Sequence, residues 1–192
     1  MNLPELKKLI QEEVEKSLTP HLEKIKPSDM DSVLDVGDKA FGTFMGHTKT
    51  MSKHPNYNFK KEADLNKSVK LVLGNLIIGY YLLSDKQTIQ NFLDSIVTKH
   101  RLVVTIDNEE LFEYSKHNRG IQGLTVGILP KYKGRGYSKL LFDYPKSTGY
   151  DYIWAVQTEG MSDLAGWLKR AELLLTMKSP GGEKFYITIE KF

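Results

Sequence analysis

The sequence predicts an α/β (α+β) protein in which antiparallel strand pairs alternate with amphipathic helices, with an amphipathic helix leading the chain. Three observations point there. Residues 3–18 place Leu6, Leu9, Ile10, Val14 and Leu18 on one helical stripe, with Lys and Glu around the rest. Two pairs of apolar runs, 69–73 with 76–83 and 173–177 with 184–189, flank Gly74-Asn75 and Ser179-Pro180-Gly181-Gly182, which are hairpin turn signals. Finally, Leu124, Val126 and Ile128 alternate as along a largely buried strand, which leads through Gly134 and Gly136 into a helical stripe of Tyr137, Leu140, Leu141 and Tyr144. The chain's 192 residues, 40% hydrophobic and 27% charged, suffice for one full core.

Pro4 suits the first turn of the leading helix and Pro20 lies just past its end. Five acids balance five bases over residues 1–26, against a basic membrane anchor. Its stripe either packs on its own domain or docks onto a protein partner or a second copy. A short strand near 22–26 comes next, then Ser28 as cap of a helix carrying Met30, Val33, Leu34 and Phe41. Residues 42–66, with His47, His54, Tyr57 and Phe59, read as a polar and aromatic segment. Thr88, Phe92 and Ile96 give a helix through about His100, and 102–106 read as a strand. The polar stretch 109–120 is expected near the mouth of the site. Past the glycines, Pro145 and Gly149 stop the helix, 150–156 form another strand, and Leu164, Trp167, Leu168 and Ala171 mark a further helix.

With no cysteine there is no disulfide and no thiol nucleophile, so any group transfer would pass directly between substrates or through a hydroxyl. No apolar run reaches a membrane-spanning length and no secretory core opens the chain, so a cytoplasmic location is expected. The five histidines show no metal-ligand spacing, and no metal is expected. The formal net charge of +3 requires no general nucleic-acid surface.

Most of that charge gathers in one place. From Lys131 to Ser147, five cations (Lys131, Lys133, Arg135, Lys139, Lys146) face one anion, Asp143, a local balance of plus four. Glycines let a backbone approach a ligand closely, and the first turn of a helix offers N–H groups with no intrahelical partner. The stretch therefore reads as a phosphate cradle.

The cradle resembles the acyl-coenzyme A signature of the GCN5-related N-acetyltransferase (GNAT) superfamily, Q/R-x-x-G-x-G/A after a strand. Here it stands as Lys133-Gly134-Arg135-Gly136-Tyr137-Ser138, with Lys133 and Ser138 departing from the commonest form. The order of elements from His21 onward is also similar to that fold. The resemblance implies a mixed, mostly antiparallel twisted sheet flanked by helices over residues 20–192, behind the helix at 1–19 and with an insertion at about 84–119. It implies acetyl-coenzyme A as co-substrate, held by Val126, Ile128, Leu129, Lys133, Gly134, Arg135, Gly136, Tyr137 and Ser138. The pantetheine arm is expected between splayed strands ending near Leu129 and Gln157, with an oxyanion donor among the backbone N–H groups of 126–128.

The acceptor is then an amine. Glu159 is the first candidate base, with Glu109, Glu110 and Glu113 behind it, and Ser162 or Tyr150 would protonate the leaving thiolate. The family's usual tyrosine is Lys169 here. That loss keeps open a catalytically inactive binding or structural protein, and the basic cradle a nucleic-acid-modifying one. The leading helix resembles those of bacteriophage-encoded proteins, the origin it would suggest.

Overall fold

A computed structural model describes residues 2–41, 58–158 and 170–192. Their strands, β1 (His21–Lys24), β2 (Val69–Leu73), β3 (Leu76–Ser84), β4 (Val103–Ile106), β5 (Gly120–Ile128), β6 (Tyr152–Thr158), β7 (Glu172–Lys178) and β8 (Lys184–Lys191), form one sheet in the order β1-β2-β3-β5-β6-β8-β7-β4. Every neighbouring pair is antiparallel except β5 and β6, which run parallel. The helices are α1 (Leu3–Ser17), α2 (Met30–Phe41), the single turn α3 (Phe59–Glu62), α4 (Ile89–His100), α5 (Glu109–His117) and α6 (Ser138–Asp143).

Strand alternation assigns the helices to faces. Along β3, Tyr80 and Leu82 pack with Val33 and Leu34 of α2, whereas Tyr81 and Leu83 pack with Leu141 of α6. Along β6, Ile153 joins the α6 side, while Tyr152 and Trp154 join Ile89, Leu93 and Leu111 of α4 and α5. Hence α2, α4 and α5 cover one face of the sheet and α6 the other. Trp154 is fully buried against Phe92, a core aromatic. A lysine sits inside fully buried β2: Lys70 donates to Asp29 at 2.9 Å and lies 3.4 Å from Glu23, the partners a buried ammonium requires.

Both hairpins form about the expected turns, with Gly74 in the left-handed region at φ 61°. Other expectations are corrected. Ser28 caps nothing; it lies in a 3₁₀ turn, Pro27–Asp29, where the Asp29 carboxylate accepts the Lys26 N–H. The helix after the glycines is only six residues long before Tyr144–Thr148 tighten into a 3₁₀ turn, since Pro145 cannot continue the α ladder. Residues 109–117 are a helix capped by the Asn108 side chain on Leu111 N–H. It packs on the β7 side and ends at the start of β5, remote from the glycines.

The stripe of α1 does not join the core. Leu3 is 65% and Val14 52% exposed, with Leu6, Leu9 and Ile10 also open, and Leu18 just beyond the helix packs against Gly74.

Candidate active site

Two strands that start paired and then part create the opening. β5 and β6 pair only at Gly120–Tyr152, Ile121–Ile153 and Gln122–Trp154, although both continue for several residues. Beyond that point the described residues place no strand between them. Leu129 N–H donates to Ile78 C=O at 2.8 Å, so every second residue back along β5 turns its main chain toward β3. The main-chain groups of Val126 and Ile128 therefore face the gap. A bulge at Leu124 sharpens the departure: Leu83 and Leu82 are neighbours on β3, but their partners are Gly123 and Thr125.

The cradle lies past the end of β5. Pro130–Tyr132 form a 3₁₀ turn that buries Tyr132 in the core, and Lys133 returns to an extended conformation. Gly134 and Gly136 follow at φ 77° and 79°, where a side chain is strained, and a Cβ on either would meet no atom of the other described residues within 4 Å. Their backbone is thus open on its outer side. Pro130 C=O accepts the Lys133 N–H, and Gly136 C=O accepts the Lys139 N–H. Between them, no backbone acceptor among the described residues takes the N–H groups of Gly134, Arg135, Gly136 or Tyr137. Ser138 opens α6 with an exposed side chain, and Tyr137 is half-buried against the core.

The cations distribute unequally. Arg135 and Lys131 lie 5.4 and 5.5 Å from the Tyr132 ring centre, and Lys133 Nζ donates to Ala40 C=O at the end of α2. Lys139 is exposed. Lys146 turns away, 3.7 Å from Asp143 and 3.6 Å from Glu190, so its charge does not belong to the cradle.

The other sequence candidates do not all gather here. Glu159 and Ser162 lie outside the described residues, as do most of 42–66 and the stretch around Trp167 expected to be a helix. Tyr150 precedes the paired end of β6, at the opposite end of the strand from the gap. Its hydroxyl donates to Asp85 at 2.7 Å, with Arg119 and Lys67 over its ring. Burial first, then Asp85, pushes this phenol up to about 12. Glu109 and Glu110 open α5, and Glu113 binds Lys116 near its end; none is brought to the cradle.

One pair was missed. The ring of Tyr80 lies across β5 where a Cβ on Gly127 would sit, and its hydroxyl is 3.2 Å from Thr125 Oγ1. Burial drives this phenol far above its ordinary range, so it stays protonated. Gln157, on the stretch of β6 that pairs with β8 but no longer with β5, buries a side-chain carbonyl oxygen without a hydrogen-bond donor among the described residues. A ligand carrying amide N–H groups in the gap would satisfy it, as phosphate would satisfy the cradle. Among the described residues no group of three or more acidic or histidine side chains is placed to hold a metal ion.

No protein-family model matches the chain, and no curated protein is significantly similar to it. Solved structures are. The chain superposes on a Drosophila melanogaster polyamine N-acetyltransferase that forms N-acetylagmatine, with a TM-score of 0.60 over 91% of this chain and 100% of that one, at 10% identity. A GNAT-family acetyltransferase from Listeria monocytogenes matches at 0.58 over 90% and 95%, with 12% identity. An N-acetyltransferase from Thermoplasma acidophilum, crystallised with coenzyme A, matches at 0.51 over 91% and 99%, with 11% identity. At such identities the likeness is one of fold, and the fold is that of the GNAT acetyltransferases.

Proposed function

We propose that this chain, which has the GNAT fold, is an acyl-coenzyme A-dependent N-acyltransferase that passes an acetyl group from acetyl-coenzyme A directly to a primary amine. The observation that carries the reading is the gap between β5 and β6 with open glycine backbone at its mouth. The N–H groups of residues 134–137, with Arg135, Lys133 and Lys139, hold a pyrophosphate. The main chain of Val126 and Ile128 and the carbonyl of Gln157 hold an amide-bearing arm as an added strand would. The bound thioester supplies the activated acyl carbon. The amine nitrogen attacks that carbon, a C–N bond forms, the C–S bond breaks, and the proton that the nitrogen loses ends on the departing sulfur.

The N–H groups of Val126 and Ile128 face the developing oxyanion. Tyr80, across β5 at Gly127, relays that proton, taking one from the nitrogen side as it gives its own to the sulfur so that no buried phenolate forms, in place of the tyrosine that Lys169 replaces and of Tyr150, whose position at the far end of β6 serves structure. Holding amine and thioester together supplies much of the acceleration, since orientation alone is worth about 7–11 kcal/mol. Mass spectrometry of an amine panel (polyamines, agmatine, peptide N-termini) incubated with acetyl-coenzyme A tests the reading, with the mass gain of an acetyl group replacing a hydrogen on at least one amine as its outcome. Tight coenzyme A binding with no acetylated product would instead favour the inactive binding protein that Lys169 suggests.

A further inference from the structure

The insertion at 84–119 ends the sheet with a strand whose outer side no described strand covers. Among the described residues β4 pairs with β7 alone and closes the strand order, and Val103 and Ile106 on it are 67% and 42% exposed. Such an edge is a template for another strand. Its main-chain groups can be assigned. Asp107 N–H donates to Leu174 C=O at 3.0 Å, so Val103, Thr105 and Asp107 turn their main chains to β7, and those of Val104 and Ile106 face outward.

The chemistry around this strand selects its partner. Lys99, His100 and Arg101 precede it, and Asp107, Glu109 and Glu110 follow it. All six residues are exposed. A parallel copy would set like charges against like. An antiparallel copy sets the basic end of each strand against the acidic end of the other, twice, about a two-fold axis. Arg101, at φ 52°, bends the chain before Val103, whereas Asp107 still follows β7, so the extended stretch is 103–107 and its centre is Thr105.

We propose that β4 is a self-association edge: two copies of this chain pair antiparallel through it, with Thr105 on the two-fold axis. Val104 and Ile106 then exchange main-chain hydrogen bonds with Ile106 and Val104 of the other copy, and the basic end of each strand, Lys99 to Arg101, lies beside the acidic end of the other, Asp107 to Glu110. The contact is short, so association is concentration-dependent and sits at the weak end of specific interfaces.

Because the chain has no cysteine, single substitutions report the register directly. A non-hydrogen-bonded antiparallel pair brings Cα atoms to about 4.5 Å, within the range a disulfide spans. Thr105→Cys should form a disulfide-linked dimer under mild oxidation at tens of micromolar protein. Val103→Cys lies about 13 Å from its own copy in this register and should not, despite its greater exposure. Equal cross-linking of the two variants, or none by Thr105→Cys, overturns the proposal. Sedimentation equilibrium gives a second reading without cysteine. Arg101→Glu should weaken dimerisation on the order of tenfold, and Arg101→Glu with Glu109→Arg should restore it. A chain that stays monomeric up to millimolar concentration also overturns the proposal.

Discussion

Replacing Gly136 by Asp separates cofactor binding from folding. The residue sits at φ 79°, and a Cβ there meets no atom of the other described residues within 4 Å, so folding loses the backbone preference, about 1–2 kcal/mol. Binding loses far more. A carboxylate about 5 Å from a pyrophosphate carrying two charges is repelled by about 0.8 kcal/mol per charge with the screening of bulk water, and by about 3 kcal/mol at the dielectric of a protein surface. The sum, roughly 2–7 kcal/mol, corresponds to a loss of affinity from about twentyfold to beyond detection. Gly149→Asp is the matched control, because Gly149 has φ 77° and equally empty surroundings but lies just before β6, away from the cradle. The assay is calorimetric titration with acetyl-coenzyme A beside a thermal melt of each variant. Both variants should melt a few degrees lower, about 2–4 °C per kcal/mol, and only Gly136→Asp should lose affinity. Equal affinities in the two folded variants would refute the assignment of phosphate to this loop.

Tyr80→Phe should lower turnover by about 10²–10⁴-fold with cofactor affinity intact, whereas Glu159→Gln should lower it only modestly; steady-state kinetics on the best amine checks both, and the reverse ranking would make Glu159 the essential base. Deleting residues 2–18 should leave acetyl-coenzyme A affinity within about twofold, because the apolar side chains of α1 stay outside the core; unfolding of the truncated chain, read by circular dichroism, would show otherwise. Tyr150→Phe should leave turnover nearly unchanged and remove part of the alkaline instability. With its folded value raised from 10 to about 12, this phenol adds stability that is complete below pH 10 and lost as pH rises through 12; a denaturant titration at each pH should show that loss shrink in the variant.

Much of the fold is legible in local chemistry. The hairpin about Gly74-Asn75, the Thr88 cap of α4 and the paired glycines at 134 and 136 each rest on preferences within a few residues. Helix α5 was legible too, in the Asn108 cap, but its many polar residues hide the short apolar face of Leu111 and Phe112. What stayed hidden depends on register and direction. Tyr80 resembles any strand aromatic until the β3–β5 pairing lays it across Gly127. Tyr150 is near the cradle in sequence, yet the direction of β6 puts it at the other end of the sheet. Lys146 counts toward the cradle by position, but the 3₁₀ turn after α6 directs it to Glu190. The parting of β5 and β6 leaves no mark in either strand alone; the expectation of splayed strands near Leu129 and Gln157 rests only on the resemblance carried by the glycine loop.

The central claim is that coenzyme A lies between β5 and β6 with its pyrophosphate on the glycine loop. Amide hydrogen exchange of the folded chain, with and without saturating coenzyme A, tests it most directly. Slower exchange should concentrate at Val126 and Ile128 and at residues 134–137, whose N–H groups face the gap or the cradle. No protection at these amides, or protection confined to another part of the surface, would contradict it.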